Sequence, residues 1–160
     1  MDLSSLFHRD LTRLMNQIEA FPSSEMIWSV LPGITNSAGS LAMHIEGNLR
    51  EYVGHQIGGT DYLRNRNREF VSADLPKHEI LARLEQLRRI IPPILANIPE
   101  ERMKTRYPEV VLERPLSVED FLMHLYGHLN WHLGQIDSLR RALTGDGAVR
   151  AVGLLPADDA

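Results

Sequence analysis

The sequence predicts an all-α protein built as a four-helix bundle. Three observations carry this expectation. Four segments place apolar residues at three- and four-residue steps, the signature of one buried helix face. Proline, glycine and capping residues punctuate their ends. The 160 residues make one ordinary domain, large enough to bury a core.

The first helix is expected over roughly residues 3–20, with Leu3, Leu6, Phe7, Leu11, Leu14 and Ile18 on one stripe. Phe21-Pro22 ends it. The connection SEMIWSVLPGITNSAGS follows, broken by Pro32 and Gly33, and Asn36 or Ser37 can cap the next helix. That second helix runs to about residue 56, with Leu41, Ile45, Leu49, Tyr52 and Val53 facing inward. Gly58-Gly59 stops it.

The polar stretch GGTDYLRNRNREFVSADLP is long for a bundle loop, and such loops are often functional. The third helix is expected over about 77–97, with Ile80, Leu81, Leu84, Leu87, Ile91, Ile94 and Leu95 inward. Pro92-Pro93 should kink it or start a new segment. A second long connection, RYPEVVLERPL, offers Val110 to Leu112 as a short extended piece. Ser117, with Asp120 three residues on, opens the last helix, which reaches about Leu143 and stops at Gly145. The bundle is thus placed at 1–145. The tail 146–160 is expected to be loose or to pack on the bundle through Val152, Leu154 and Leu155. Connections this long allow more than one bundle topology.

Composition narrows the function classes. Hydrophobic residues make up 43% and charged residues 24%, which is globular rather than disordered. The net charge of -4 leaves no basic excess for phosphate, so nucleic acid is not an expected partner. The absence of cysteine removes disulfides, thiolate metal sites and a cysteine nucleophile. Any metal must use histidine or carboxylate ligands. MDLSSLFHRD lacks the cationic start and apolar stretch of a signal peptide, and no apolar run approaches the ~20 residues that span a bilayer. A soluble, cytoplasmic protein is expected.

Seven histidines stand at 8, 44, 55, 78, 124, 128 and 132. Three fall in HLYGHLNWH at i, i+4 and i+8. Four residues turn a helix by about 40° and raise it by about 6 Å, so two such imidazoles can reach one ion. All three cannot, because His124 and His132 lie about 12 Å apart along the axis. The stripe of Phe121, Leu125, Leu129, Ile136 and Leu139 favours the 128/132 pair. His124 borders that stripe too, so helical geometry leaves both pairs open. A third ligand should come from a facing helix. His44 lies beside Leu41 and Ile45 near the apolar middle of its helix, whereas His55, on the same face, is about 16 Å further along and reads as a rim residue. Against this stands the commoner fate of a histidine on an apolar face, a packed core residue. The row of three also suits a protonatable surface edge.

The runs LAMHIEGNLREYVGHQIGG and RNRNREF, followed by HLYGHLNWHLGQI, resemble the DinB-like superfamily, also called YfiT-like metal enzymes. The resemblance is closest to a branch of unknown function. It rests on a histidine in a His-x-x-Gly-Asn-Leu-Arg run and on a closing H-x-x-x-H-x-G-Q, and it spans about residues 3–145. It implies a four-helix bundle, usually a homodimer, holding one divalent metal on His44, His128 and His132. His124 then matches a neighbour that is often histidine but not a ligand. Gly134 would permit a close helix approach, and Gln135 could hydrogen-bond a ligand ring.

Three neutral imidazoles would leave an ion a coordination position open to water or substrate. Zn or Ni fits such a set best, with Mn or Fe as alternatives. The superfamily includes hydrolases and low-molecular-weight-thiol transferases, so the expected function is a metal-dependent hydrolase or thiol transferase acting on a small molecule. The alternatives are a non-catalytic metal-binding or stress-related bundle, or a helical interaction protein with packed histidines. No catalytic residue is assigned. Glu46 points to the far side of its helix, Glu51 returns to the His44 face but two turns away, and Asp137 is rotated well off the His132 direction; all three read as solvated. Asn48, one turn beyond His44, could orient a ligand or bind substrate. Arg64, Arg66 and Arg68 could contact an anionic substrate, but a solvated basic loop is the commoner reading.

Overall fold

The computed structural model describes residues 2–71 and 75–147. Helix α1 spans Leu3–Glu19 and is capped by Asp2, whose carboxylate accepts from the Ser5 N–H at 2.8 Å. Phe7, Leu11, Leu14 and Ile18 are buried along it, as the three-four repeat requires. A short helix α2, Ser24–Trp28, occupies the predicted connection. Helix α3, Ala38–Leu49, starts at Ser37, whose hydroxyl accepts from the Ser40 N–H. The chain then widens into a π-helical turn over Arg50–His55. The Gln56 N–H there reaches back five residues to the Glu51 carbonyl, and Gly59 closes the segment at φ 67°.

The long polar stretch contains helix α4, Arg66–Val71. Helix α5, Lys77–Ala96, continues through both Pro92 and Pro93, so no new segment starts there. The Pro92 carbonyl accepts from the Ser4 hydroxyl of α1, and the Pro93 carbonyl from the Asn97 amide. A short helix α6, Glu100–Met103, follows. Helix α7, Val118–Thr144, is capped by Ser117 and ends at Gly145, whose φ of 71° is left-handed.

The 104–117 connection folds back on itself. Arg106 pairs with Ser117 and Val111 with Arg114, two isolated bridges. Leu112 and Glu113 have φ of 53° and 60°. Positive φ at both central residues is type I′ geometry, so the expected extended piece is a tight turn instead. Tyr107 anchors it: the ring is fully buried against Phe121, and its hydroxyl donates to the Tyr52 carbonyl at 2.7 Å.

The long helices settle the topology. α1 lies between α5 and α7, and α3 lies between the same two from the other side, which makes α1 and α3 one diagonal of the bundle and α5 and α7 the other. The α1–α7 seam holds a polar network that hydrophobic periodicity does not reveal. Asp10 is fully buried, bound to Arg9 and Arg13 and accepting from the Tyr126 hydroxyl and the Asn130 amide. Arg140, equally buried, donates to Gln17 and to the Asp146 carbonyl. Among the described residues, no helix is long and apolar enough to cross a membrane. The proposed docking of the tail through Val152, Leu154 and Leu155 lies outside the described residues.

Candidate metal centre

α3 and α7 are neighbours, and this adjacency brings His44 to the HxxxH pair of α7. His44 Nε2 lies 3.2 Å from His128 Nε2, and His132 Nε2 lies 3.0 Å from the same atom. All three rings offer a nitrogen within 4.8 Å of the others. Three nitrogens held at about 2.0–2.1 Å from one tetrahedral ion stand about 3.3 Å apart, close to what the rings show.

The outer nitrogens fix the tautomers. The Nδ1–H of His44 donates to Glu69 Oε2 at 2.9 Å, and that of His132 donates to Gln135 Oε1 at 2.7 Å. A neutral ring that carries its proton on Nδ1 presents a bare lone pair at Nε2. The His128 nitrogen therefore faces two lone pairs and can satisfy at most one of them with a proton. A second ring proton, which would make His128 cationic, is unfavourable: burial, reinforced by His132 and His44, pushes its pKa down to about 4. His132 is lowered as well, first by burial. A cation between the three nitrogens resolves this clash of lone pairs, so the group is suited to hold a metal ion.

Glu69 is the residue that sequence reasoning missed. α4 delivers it to His44, and it is 6% exposed. Its Oε1 accepts from Arg64 Nε at 2.6 Å and its Oε2 from the second Arg64 nitrogen at 2.9 Å, a bidentate pair. Burial raises its pKa, but the His44 and Arg64 hydrogen bonds outweigh this and leave it below the ordinary value. Arg64 is thus neither a solvated loop residue nor free for an anionic substrate. Its guanidinium also lies over the Tyr52 ring. Gly47 makes room for this arrangement, because a β-carbon there would collide with the Glu69 carboxylate. The signal was present in the Gly of the His44 run and in the long loop. Nothing along the chain connected them.

The other sequence candidates separate clearly. His124 is exposed on α7, stacks on Phe121, and lies outside the three-histidine group. His55 donates from Nδ1 to the Thr60 carbonyl and holds the end of the π-helical turn. Glu46 is buried on the far side of α3 and bound to Arg50 at 2.6 Å. Burial raises its pKa despite that partner. Gly134 does not mark a close helix approach, since a β-carbon there meets nothing within 4 Å.

Two of the cavities among the described residues flank α7. The smaller, about 240 Å³, is lined by Asn48, Tyr52, Glu109, Phe121, His124 and His128, so it opens on one of the three imidazoles. The larger, about 690 Å³, is a more apolar groove between Leu31, Ile34, Leu41, Trp131 and Leu139. It touches the imidazole cluster only indirectly, through Gln135.

Comparison with known proteins bears on the fold and the family. No curated protein matches the chain. A crystal structure of a DinB-like protein from Bacillus cereus ATCC 10987 shares its fold, with a TM-score of 0.67 and 18% identity over 86% of this chain and 88% of that one. The family model described as protein of unknown function, DUF1572, matches residues 5–150. The chain belongs to that family of unknown function and shares its fold with the DinB-like protein.

Proposed function

We propose that this protein binds one divalent transition metal on His44, His128 and His132 and uses it to transform a small molecule, as a low-molecular-weight-thiol transferase or a hydrolase. The observation that carries this reading is the convergence of three Nε2 atoms on one point, with Glu69 and Gln135 holding the opposite nitrogens of His44 and His132. A metal-ligating histidine ordinarily has such a partner on its other nitrogen. When bound, a divalent ion on three neutral imidazoles supplies positive charge that lowers the pKa of a coordinated water or thiol.

The chain's own residues do the rest. Glu69 fixes the His44 ring and adds negative charge behind it. Arg64 keeps that carboxylate ionised and in place. The cavity beside His128 gives a small molecule access. Glu69 and Glu46 are each bound to an arginine, so neither is free to act as a base. Glu109, which lines the cavity and is held by the Gln56 amide, is the carboxylate left to serve as a base, and a thiol nucleophile needs none. Zn or Ni suits the all-nitrogen donor set, with Mn or Fe as alternatives.

Elemental analysis of the untagged protein tests the first half, with about one metal per chain expected after supply of Zn, Ni, Mn and Fe. Turnover of a panel of thiol acceptors and amides, lost in His132→Ala with the fold retained, tests the second. Metal binding without turnover would leave a non-catalytic metal-binding protein. No metal from any of the four would refute the reading.

A further inference from the structure

A groove of about 690 Å³ runs along α7 from Trp131 to Ala142, with Leu31, Ile34 and Leu41 on its other side. None of its lining residues is charged. Trp131 is 68% exposed there and Ile34 47%, a concentration of apolar surface that marks a place where something binds. Gly134 lies on the same face of α7. Glycine inside a helix is unfavourable relative to alanine, and a β-carbon at 134 would meet nothing within 4 Å. No contact among the described residues accounts for this glycine, and its effect is to leave the groove open.

The chain leaving α7 is led toward this groove. Gly145 ends the helix, and then Arg140 donates to the Asp146 carbonyl at 2.7 Å and Arg141 to the Gly147 carbonyl at 2.6 Å. These bonds hold residues 146 and 147 against the last turns of α7. Successive helical residues are rotated by about 100°, so Arg140, Arg141 and Ala142 follow one another around the helix, and Ala142 lines the groove. Residues 148–160 lie outside the described residues. Their sequence, AVRAVGLLPADDA, puts its bulky apolar residues, Val149, Val152, Leu154 and Leu155, before Pro156 and its acidic pair, Asp158 and Asp159, after it. From Ala142 to Trp131 is about 16 Å along the helix axis. The stretch 149–155, at about 3.3 Å per extended residue, can span about 23 Å, enough to run the length of the groove.

We propose that the occupant of this groove is the chain's own segment 149–155, with Leu154 and Leu155 against Trp131 and with Asp158 and Asp159 left in water. An uncharged apolar groove is matched by a segment whose one charge is Arg150. The tether favours this segment over a second copy of the chain. Joined to the end of the groove by a few residues, it is present at an effective concentration of millimolar order. The docked segment covers Gln135, and with it the solvent side of the hydrogen bond that holds the His132 ring. The inference stands apart from the metal reading, since nothing in it requires an ion.

The test uses the full chain in three forms: the wild type, the tail variant Leu154→Ser/Leu155→Ser, and Gly134→Leu. The last fills the groove from the α7 side, where a side chain has room, so the bundle should keep its fold. Brief trypsin treatment followed by mass spectrometry gives the rate of cleavage after Arg150, which follows the population of undocked segment. Cleavage of the wild type should be about tenfold or more slower than cleavage of either variant, and independent of protein concentration. Acrylamide should quench tryptophan fluorescence less in the wild type than in the tail variant. That difference should vanish in a Trp131→Phe background, where Trp28 is the tryptophan left. Equal cleavage rates in all three forms would overturn the inference. Protection kept in Gly134→Leu but lost in the tail variant would overturn it too, by placing the segment on another face. So would protection that rises with protein concentration, which would assign the groove to a second copy, or a quenching difference that survives Trp131→Phe. Each of these outcomes leaves the metal reading untouched.

Discussion

His44 and Glu69, 25 residues apart, share a hydrogen bond of 2.9 Å, and Gly47 is what allows it. The carboxylate occupies the space that any other residue at 47 would fill with a β-carbon. One glycine on α3 thus sets the position of a charge delivered by α4, and that charge sets the tautomer of an imidazole aimed at α7.

Glu69→Gln should therefore weaken metal binding without removing a ligand. Loss of a partner behind a ligating histidine ordinarily costs about 10–100-fold in metal affinity. Competition against a chromophoric chelator reads this directly. An affinity equal to wild type would mean that Glu69 serves Arg64 alone.

Gly47→Ala should reproduce much of the Glu69→Gln defect from a position that touches no metal. The new methyl group must push the carboxylate off His44 or shift α4 away from α3. The same chelator competition should show weaker binding, and combining both substitutions should add little beyond either one, since both act through one contact. Full additivity would place the effect of Gly47 elsewhere.

Removing His128 or His132 should abolish stabilisation by metal. A ligand present at 100 times its dissociation constant raises stability by about 2.7 kcal/mol. The wild-type melting temperature should rise on metal addition, and that of His128→Leu should not. In the absence of metal, His128→Leu should be neutral or stabilising, because it relieves the crowding of nitrogens at 3.0 and 3.2 Å. A metal-dependent rise that persists in the variant would place the ion elsewhere.

Asp10 should make the fold acid-sensitive. Burial raises its pKa, but hydrogen bonds from Arg9, Tyr126 and Asn130 outweigh that, and the net shift is below 3.8. A folded-state pKa below the unfolded one gives stability that is complete above the unfolded value and is lost as pH falls through the folded value. Denaturant unfolding of the wild type should thus weaken steeply below about pH 4. Asp10→Ala should cost about 3 kcal/mol at neutral pH, by removing the buried carboxylate that Arg9, Arg13, Tyr126 and Asn130 share, and should flatten that acid slope. An unchanged slope would assign the acid sensitivity to other carboxylates.

The amino-acid sequence by itself determined the helices and the positions of the candidate metal-binding histidines. Periodicity placed α1, α3, α5 and α7, because burying one face of a helix demands a three-four repeat of apolar residues. Ser37, Ser117 and Gly145 marked their ends, because capping is a local hydrogen-bonding problem. Spacing showed that two of the three α7 histidines can share a point, and the family resemblance selected His128 and His132. The rest required contacts between segments distant along the chain. Only the tertiary structure decided that α3 sits beside α7 and diagonal to α1, which is what brings His44 to the pair. It alone showed Glu69 behind His44, the π-helical turn that carries His55 to Thr60, and the buried partners of Asp10 and Arg140. A polar residue's partner is fixed by three-dimensional neighbours, and no periodicity along one helix encodes the side chain that another helix will present to it.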